Sequence, residues 1–436
     1  MKIFSTPPIQ TPSFKSNIVL DIGASQKEGS CKVYYSSTPT DEIFFKDRST
    51  LNNLGKWCFE DKGDFVKLIA RKIANIQKSQ RDTVKAKGYP ESENILKNIA
   101  VFVPSHTFAN KALYMPNLKD GNNNPLCNVD FGDFKNELIK NGVEVSEDLG
   151  FKLLHDALGA GLAMSKHLSD YNMLTEGCSY TTCITGGGCG ITNIEMPDSE
   201  NVVIKSSGSS YLTEGFSVQK VSKAGASSPA LVENFCKAMG FEPAMTNAIK
   251  SCHKAEFALE PTVTFIKEVN TNKLKELLLK SNVFEIVDEA ENWYTISVKS
   301  ECTNQYNNAR RNAIDKYCLA LAKLAIIKKT EGSNGLIVTG ILANAVDRSA
   351  KLAYGTSVSD WIAQHLLQSF NLPEFETMDS AYKFKIFCGN KFNIDNNADC
   401  GKLAHLSKFV GSGRNNWLRI SLKDLRQVPL RKAICI

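Results

Sequence analysis

The chain has no pair of cysteines close enough to staple a short loop or hold a zinc ion. Its 13 cysteines are odd in number and scattered, with the narrowest gaps, of five and six residues, among Cys178, Cys183 and Cys189. Without a CxxC or CxC pair there is no disulfide scaffold or zinc knuckle, and the thiols read as reduced, buried small hydrophobes. No apolar run approaches the length of a membrane span, and no cleavable signal pattern is present, so a soluble, cytoplasmic protein without a membrane partner is expected. Both common nucleotide fingerprints are missing: there is no GxxxxGK[ST] and no GxGxxG joining a strand to a helix. A recognisable nucleic-acid motif is also lacking, and only about 16 residues precede the first strand-like segment, which leaves no room for a helix-turn-helix.

What is there is enough for two domains. The 436 residues are 42% apolar and 22% charged, too many for one compact core. The net charge of +6 is uneven: residues 401–436 hold eight Lys or Arg against the single acid Asp424, giving +7, so the rest is close to neutral. Such a tail leaves contact with a polyanion open, and reads first as a solvated helix face plus an extension.

Strand-like segments at residues 17–20, 31–35 and 42–46 suggest a meander, followed by a helix with Phe65, Leu68, Ile69, Ile73 and Ile76 on one side. "IAVFVP" at 99–104 reads as a buried strand, "MPNLKDGNNNP" as a polar loop, 131–140 as a helix and the surroundings of Val143 as a short strand. An Ala/Gly-rich helix covers 157–164. The pattern restarts at Tyr180: "TTCIT" enters "GGGCG", "ITNIE" leaves it, a strand covers 202–205, and a helix opens at Ser228 with Pro229 and stops at Gly240. Residues 241–306 read as an insertion with helices at 244–259 and 272–280 and a strand at 293–298. A helix over 308–329 with Ala313, Tyr317, Leu321 and Leu324 buried, the strand "GLIVTG", a helix over 358–370, the strand "KFKIFC" and a helix over 399–406 complete the repeat. The expectation is α/β: one lobe over 17–165, a second over 175–398, and a returning helix and tail over 399–436.

Three glycine turns then stand at strand ends: "DIGAS", "TGGGCG" and "TGILANA". Ligands of open α/β sheets gather at the carboxyl ends of strands, and small residues let backbone amides approach an anion. In "IVLDIGAS" this raises the question of why Asp21 ends a buried strand. Asp156, before "ALGAGLAM", has two readings, a general base and a helix N-cap; Asn117 is either a ligand contact or a loop asparagine.

The order of these segments resembles the actin-like ATPase superfamily, and within it the ROK and bacterial glucokinase branch. "DIGAS" and "TGGGCGIT" would be the two phosphate motifs, "GLIVTGILANA" the adenosine motif, and "LLHDALGAGLAM" the stretch carrying the catalytic aspartate. The resemblance implies two ribonuclease H-like lobes with a nucleotide cleft, and ATP and Mg²⁺ as co-substrate and cofactor. It places Asp21 on the metal side, Gly23, Ala24, Ser25, Thr185, Gly186 and Gly188 on the phosphates, and Gly340 and Asn344 on the adenosine. Asn117, His155, Asp156 and Glu214 would face a sugar, with Asp156 taking its proton; a homodimer is left open. The chain departs from the family where Ala24, Ser25 and Gln26 replace Gly-Thr-Lys, where His155 replaces asparagine, and where "SSGSSYLTEG" replaces a sugar-binding Glu-x-Gly-His. The cysteine-rich zinc motif of many ROK proteins is absent. Two function classes follow: a sugar kinase, or a non-catalytic binder of the same fold that has lost its sugar loop.

Overall fold

The computed structural model describes residues 16–23, 30–37, 43–50, 62–120, 122, 124–206, 222–252, 255–369, 384–388, 397–410 and 417–428. The first lobe is built on strands β1 (Ser16–Gly23), β2 (Ser30–Ser37), β3 (Ile43–Thr50), β4 (Leu96–Val103) and, after a small sheet of β5 (Thr107–Phe108), β6 (Lys111–Lys119) and β7 (Pro125–Asp130), on β8 (Val145–His155). The main sheet runs β3-β2-β1-β4-β8. Strand β2 is antiparallel to its neighbours, whereas β1, β4 and β8 are parallel. A central parallel strand is covered on both faces, which is why Ile99, Ala100, Val101, Phe102 and Val103 are all buried. Helix α1 (Lys62–Ala86) lays Phe65, Ile69, Ile73 and Ile76 into this core at helical spacing. Helices α2 (Phe134–Lys140) and α3 (Asp156–Asp170) complete the lobe.

The second lobe repeats the plan. Its strands are β9 (Ser179–Thr185), β10 (Cys189–Glu195) and β11 (Asn201–Ser206). Helices α4 (Ser228–Met239) and α5 (Pro243–Ser251) lead to a small antiparallel sheet of β12 (Thr262–Ile266), β13 (Phe284–Glu289) and β14 (Trp293–Val298), with α6 (Val269–Lys280) between its first two strands. The long α7 (Thr303–Thr330) returns the chain to β15 (Gly335–Thr339), followed by α8 (Ile341–Tyr354), α9 (Val358–Gln368), β16 (Lys385–Cys388) and α10 (Asn397–Leu406). Strands β17 (Lys408–Val410) and β18 (Trp417–Ser421) and helix α11 (Leu422–Gln427) end the described chain. The sheet order is β16-β15-β9-β10-β11-β18-β17. Removing β18 and β17 leaves the order of the first lobe: a meander of three strands, the first of which is flanked by a parallel fourth and fifth. This 3-2-1-4-5 order, occurring twice in one chain, is the ribonuclease H-like plan of the actin-like ATPases.

Helix α3 shows why the Ala/Gly-rich stretch is needed. It is wedged between the two sheets: a Cβ on Gly159 would lie 2.7 Å from the Phe102 ring of β4, and one on Gly161 would lie 2.5 Å from Ile204 of β11 and 2.6 Å from Thr192 of β10. Contacts that short force neighbours to move, so glycine is required by packing. The exchange is mutual. Helix α10, which follows the last strand of the second lobe's repeat, packs on the first lobe, where a Cβ on Gly401 would lie 2.1 Å from Val19 of β1. Leu158, Leu162, Leu403 and Ala404 thus share one core with Val19, Ile204 and Ile337.

Several expectations are corrected. "MPNLKDGNNNP" is not a loop: β6 runs to Lys119 and β7 begins at Pro125, and Asp120 Oδ1 accepts the amides of Asn122 (3.0 Å) and Asn124 (2.8 Å) to make the turn. The strand expected near Val143 is the eleven-residue β8, starting at Val145. In 241–306 the helix stops at Ser251, and β12 and β13 were not foreseen; they pair with β14, burying Val263, Phe265, Tyr294 and Ile296 on one side. The described part of the basic tail contains helix α11, with Lys423 and Arg426 exposed, and also a strand of the second sheet that was not foreseen, β18 pairing with β11.

Candidate active site

The carboxyl ends of β1, β4 and β8 lie side by side, because Asp21 pairs with Phe102 and Phe102 with Leu154, while Val103 pairs with His155. Asp21 and Leu154 are two strand spacings apart, roughly 10 Å. Asp21 is half-buried near the end of β1, two residues before the last strand residue, Gly23. Ala24, Ser25 and Glu214 lie outside the described residues. Asn117 falls in the irregular stretch of β6 between the pairs of Met115 and Lys119.

Asp156 is the first residue of α3, and the cap position belongs to His155, whose backbone is extended (φ −64°, ψ 136°) and whose side chain makes no cap bond. That corrects the N-cap reading of Asp156. Its Oδ1 instead accepts the Ala157 amide at 2.7 Å and lies 3.1 Å from His155 Nε2. No hydrogen bond occupies Oδ2 among the described residues, and 43% of the side chain is open. The carboxyl sits deep among protein atoms at the floor of an opening, and this burial pushes its pKa up to about 6, against a smaller lowering by the Ala157 amide.

His155 is 3% exposed. Its Nδ1 lies 2.9 Å from Ser206 Oγ at the end of β11, and its ring stacks on His106 with centroids 5.0 Å apart and planes 28° from parallel. Burial pushes its pKa down to about 4, which keeps the ring neutral. The ring is thus held between Ser206 and Asp156, and a sugar contact by His155 remains a proposal. His106 was missed in the sequence; its one signal is a histidine three residues beyond Val103, where the strand that pairs with β8 ends.

In the second lobe, Thr185 ends β9 and its hydroxyl bonds the Tyr317 hydroxyl of α7 at 2.9 Å. The Thr185 side chain is therefore turned to the core, and only its backbone faces the turn. Gly186 N–H donates to Gly188 O at 2.9 Å, and the Gly186 carbonyl accepts the Ser228 amide of α4 at 2.8 Å. A Cβ on Gly186 or Gly188 would meet nothing within 4 Å, so the outer side of this turn is open space. Gly340 is the opposite case. It stands at φ 106°, and a Cβ there would lie 2.4 Å from Thr185 O. The turn after β15 is thereby pressed against the end of β9, which joins the phosphate and adenosine candidates into one surface. Asn344, one turn into α8, donates its amide to Gly340 O at 3.1 Å, and its buried Oδ1 has no partner among the described residues. A groove of about 530 Å³ between α7 and α9 is lined by Arg311, Asp315, Trp361 and His365 and shares no residue with this site.

No family model and no curated protein matches the chain. Solved structures do. The chain is similar to glucokinase from Balamuthia mandrillaris in complex with glucose, at 10% identity over 91% of this chain and 95% of that one, with a TM-score of 0.49. It is also similar to hexokinase from Schistosoma mansoni complexed with glucose (11% identity, 90% and 85%, TM-score 0.47). A third is a ROK family glucokinase from Streptomyces griseus in complex with glucose and AMPPNP (10% identity, 89% and 97%, TM-score 0.40). All three are sugar kinases. With TM-scores below 0.5 they assign no residue here, and the fold rests on the chain's own doubled strand order.

Proposed function

We propose that the protein is an ATP-dependent sugar kinase, transferring a phosphoryl group from Mg·ATP to a hydroxyl of a hexose or related sugar. The observation that carries this reading is Asp156, a carboxylate anchored through one oxygen at a helix start and open at the other. Phosphoryl transfer asks a protein for positioning, charge neutralisation and a proton acceptor more than for covalent chemistry. A sugar hydroxyl donating to Oδ2 would pass its proton there as its oxygen attacks the γ-phosphorus and ADP departs. A pKa near 6 leaves the carboxyl ionised at neutral pH and more basic than an ordinary aspartate.

The open turn at Gly186 and Gly188 would take the phosphates, and the surface formed by Gly340 and Asn344 the adenosine. Among the described residues no three His, Cys, Asp or Glu gather to cage a metal ion. That donor set suits Mg²⁺, which is commonly held by one or two carboxylates with substrate phosphates and water, and Asp21 would be that carboxylate. When bound, the ion supplies charge neutralisation at the phosphates.

Calorimetric titration with Mg·ATP and Mg·ADP, followed by an ADP-release screen over a panel of sugars, tests the reading. Heat at millimolar nucleotide or below and turnover on at least one hexose are expected. Binding without turnover on any sugar would leave the non-catalytic binder, and no heat from a folded sample would remove the nucleotide site as well.

A further inference from the structure

We propose that His155 is a positioning residue, fixed as the Nε2–H tautomer, that sets the orientation of Asp156 in the first lobe through a relay beginning at Ser206 in the second. The inference rests on the reading of Asp156 as the base. A neutral imidazole has one N–H and one lone pair. His155 has two partners: Asp156 Oδ1, 3.1 Å from Nε2, and Ser206 Oγ, 2.9 Å from Nδ1. An ionised carboxylate can only accept, whereas a hydroxyl can donate or accept. The Nε2–H tautomer sets a proton and not a lone pair beside the carboxylate, and leaves Nδ1 to accept from the Ser206 O–H.

The surroundings leave the ring no alternative pose. His106 covers one face at 5.0 Å, and the side chain is 3% exposed, so the ring has little room to turn. Oδ1 then has the Ala157 amide at 2.7 Å and His155 Nε2 beside it at 3.1 Å, while Oδ2 has no hydrogen bond among the described residues. The relay crosses the lobes. Ser206 ends β11, which belongs to the second sheet, whereas His155 and Asp156 join the first sheet to α3. The base is thus oriented by a hydroxyl from the lobe that holds the phosphate turn, and a carboxamide at 155 has no second ring nitrogen with which to make that link.

The test uses the full chain and two independent readouts. Nitrogen-15 NMR of the histidine rings at pH 7 should show His155 as the Nε2–H tautomer, with an Nδ1 resonance that moves when Ser206→Ala removes its donor. In kinetics, Ser206→Ala and His155→Phe, which keeps a stacked ring, should each lower kcat about tenfold or more with KM for ATP unchanged, and His155→Gln, which can still donate to Asp156, should recover part of it. Unaltered nucleotide binding by Ser206→Ala shows that this variant folds. An Nδ1–H tautomer, or a Ser206→Ala enzyme with wild-type kcat, would overturn the relay. A wild type inactive on every sugar while showing the Nε2–H tautomer would instead overturn the kinase reading and the catalytic role that depends on it, so the two failures are told apart.

Discussion

The two lobes have the same strand order but end their equivalent first strands in different chemistry. β1 finishes in Asp21, Ile22 and Gly23, whereas β9 finishes in Ile184 and Thr185 before Gly186. The first lobe also presents Asp156 at the start of α3. In the second, the corresponding surface is made of Gly186, Gly188, Gly340 and Asn344, none of which ionises. In the proposed function a duplicated scaffold is divided by residue type: the groups that would exchange protons or hold a cation belong to one sheet, and the uncharged backbone that would meet a polyanion belongs to the other. Neither edge is sufficient alone, and the exchanged helices α3 and α10 hold the two together in one core.

Removing the first lobe's base should have the largest effect. Asp156→Asn keeps an acceptor for the Ala157 amide and loses the proton acceptor, so phosphoryl transfer should fall by a factor on the order of 10² to 10⁴, while Mg·ATP affinity stays near that of the wild type. Single-turnover ADP release and calorimetry separate the two quantities. A variant that keeps its turnover number would end the division of labour, because the second lobe would then be carrying the chemistry as well.

The converse experiment breaks the second lobe. Gly340→Ala places a Cβ 2.4 Å from Thr185 O at a residue with φ 106°. Overpacking against backbone and the positive φ together should cost on the order of 3 kcal/mol of stability in urea or thermal unfolding. Because the clash pushes the adenosine turn off the end of β9, Mg·ATP affinity should fall more than about tenfold, an effect Asp156→Asn should not share. A Gly340→Ala protein with wild-type stability and affinity would show that the two turns are not joined as described.

What could be read in the sequence, and what could not, follows from the same physics. Segments that carry their own periodicity were legible: the buried run of β4, the stripe of α1, the Ala313-Tyr317-Leu321-Leu324 stripe of α7, and the small residues of α3. So was Asp156 as a candidate, since a carboxylate before an Ala/Gly helix is a local pattern. His106 and Ser206 were not legible as neighbours of His155, because they come from the ends of β4 and β11, 49 and 51 residues away, and only the folded sheets bring them together. The burial of the His155 ring was hidden for the same reason, as it depends on what packs over it. Strands β6 and β7 were hidden by Pro116 and the run of asparagines, which look like a loop until Asp120 is seen to tie the turn. In the tail, "WLRIS" has a strand's alternation, but a basic charge excess drew attention to solvent when β11 was offering it an edge.

The smallest expected effect concerns pH, and it sharpens the contrast because Gly186, Gly188, Gly340 and Asn344 of the second lobe's candidate surface do not ionise. Burial raises the Asp156 pKa from 3.8 to about 6, so in this interval the folded state binds more protons than the unfolded state, and stability declines as pH rises. The penalty is absent below about pH 3.8 and complete above about pH 6. His155 acts in the opposite sense: its pKa is lowered from 6.5 to about 4, so its contribution is lost as pH falls through that range. A wild-type stability curve superimposes the two slopes. Comparing wild type with Asp156→Asn at each pH removes the part of the His155 slope common to both and leaves the aspartate with its effect on that neighbour. The variant's stability relative to wild type should therefore rise from pH 4 to pH 6 and then level off. With 43% of the Asp156 side chain open to solvent, screening keeps the rise to about 1 kcal/mol or less. Urea unfolding of both proteins at half-unit steps from pH 4 to 7.5 would measure it, and a flat difference would mean that Asp156 is ionised as freely in the folded protein as in the unfolded chain.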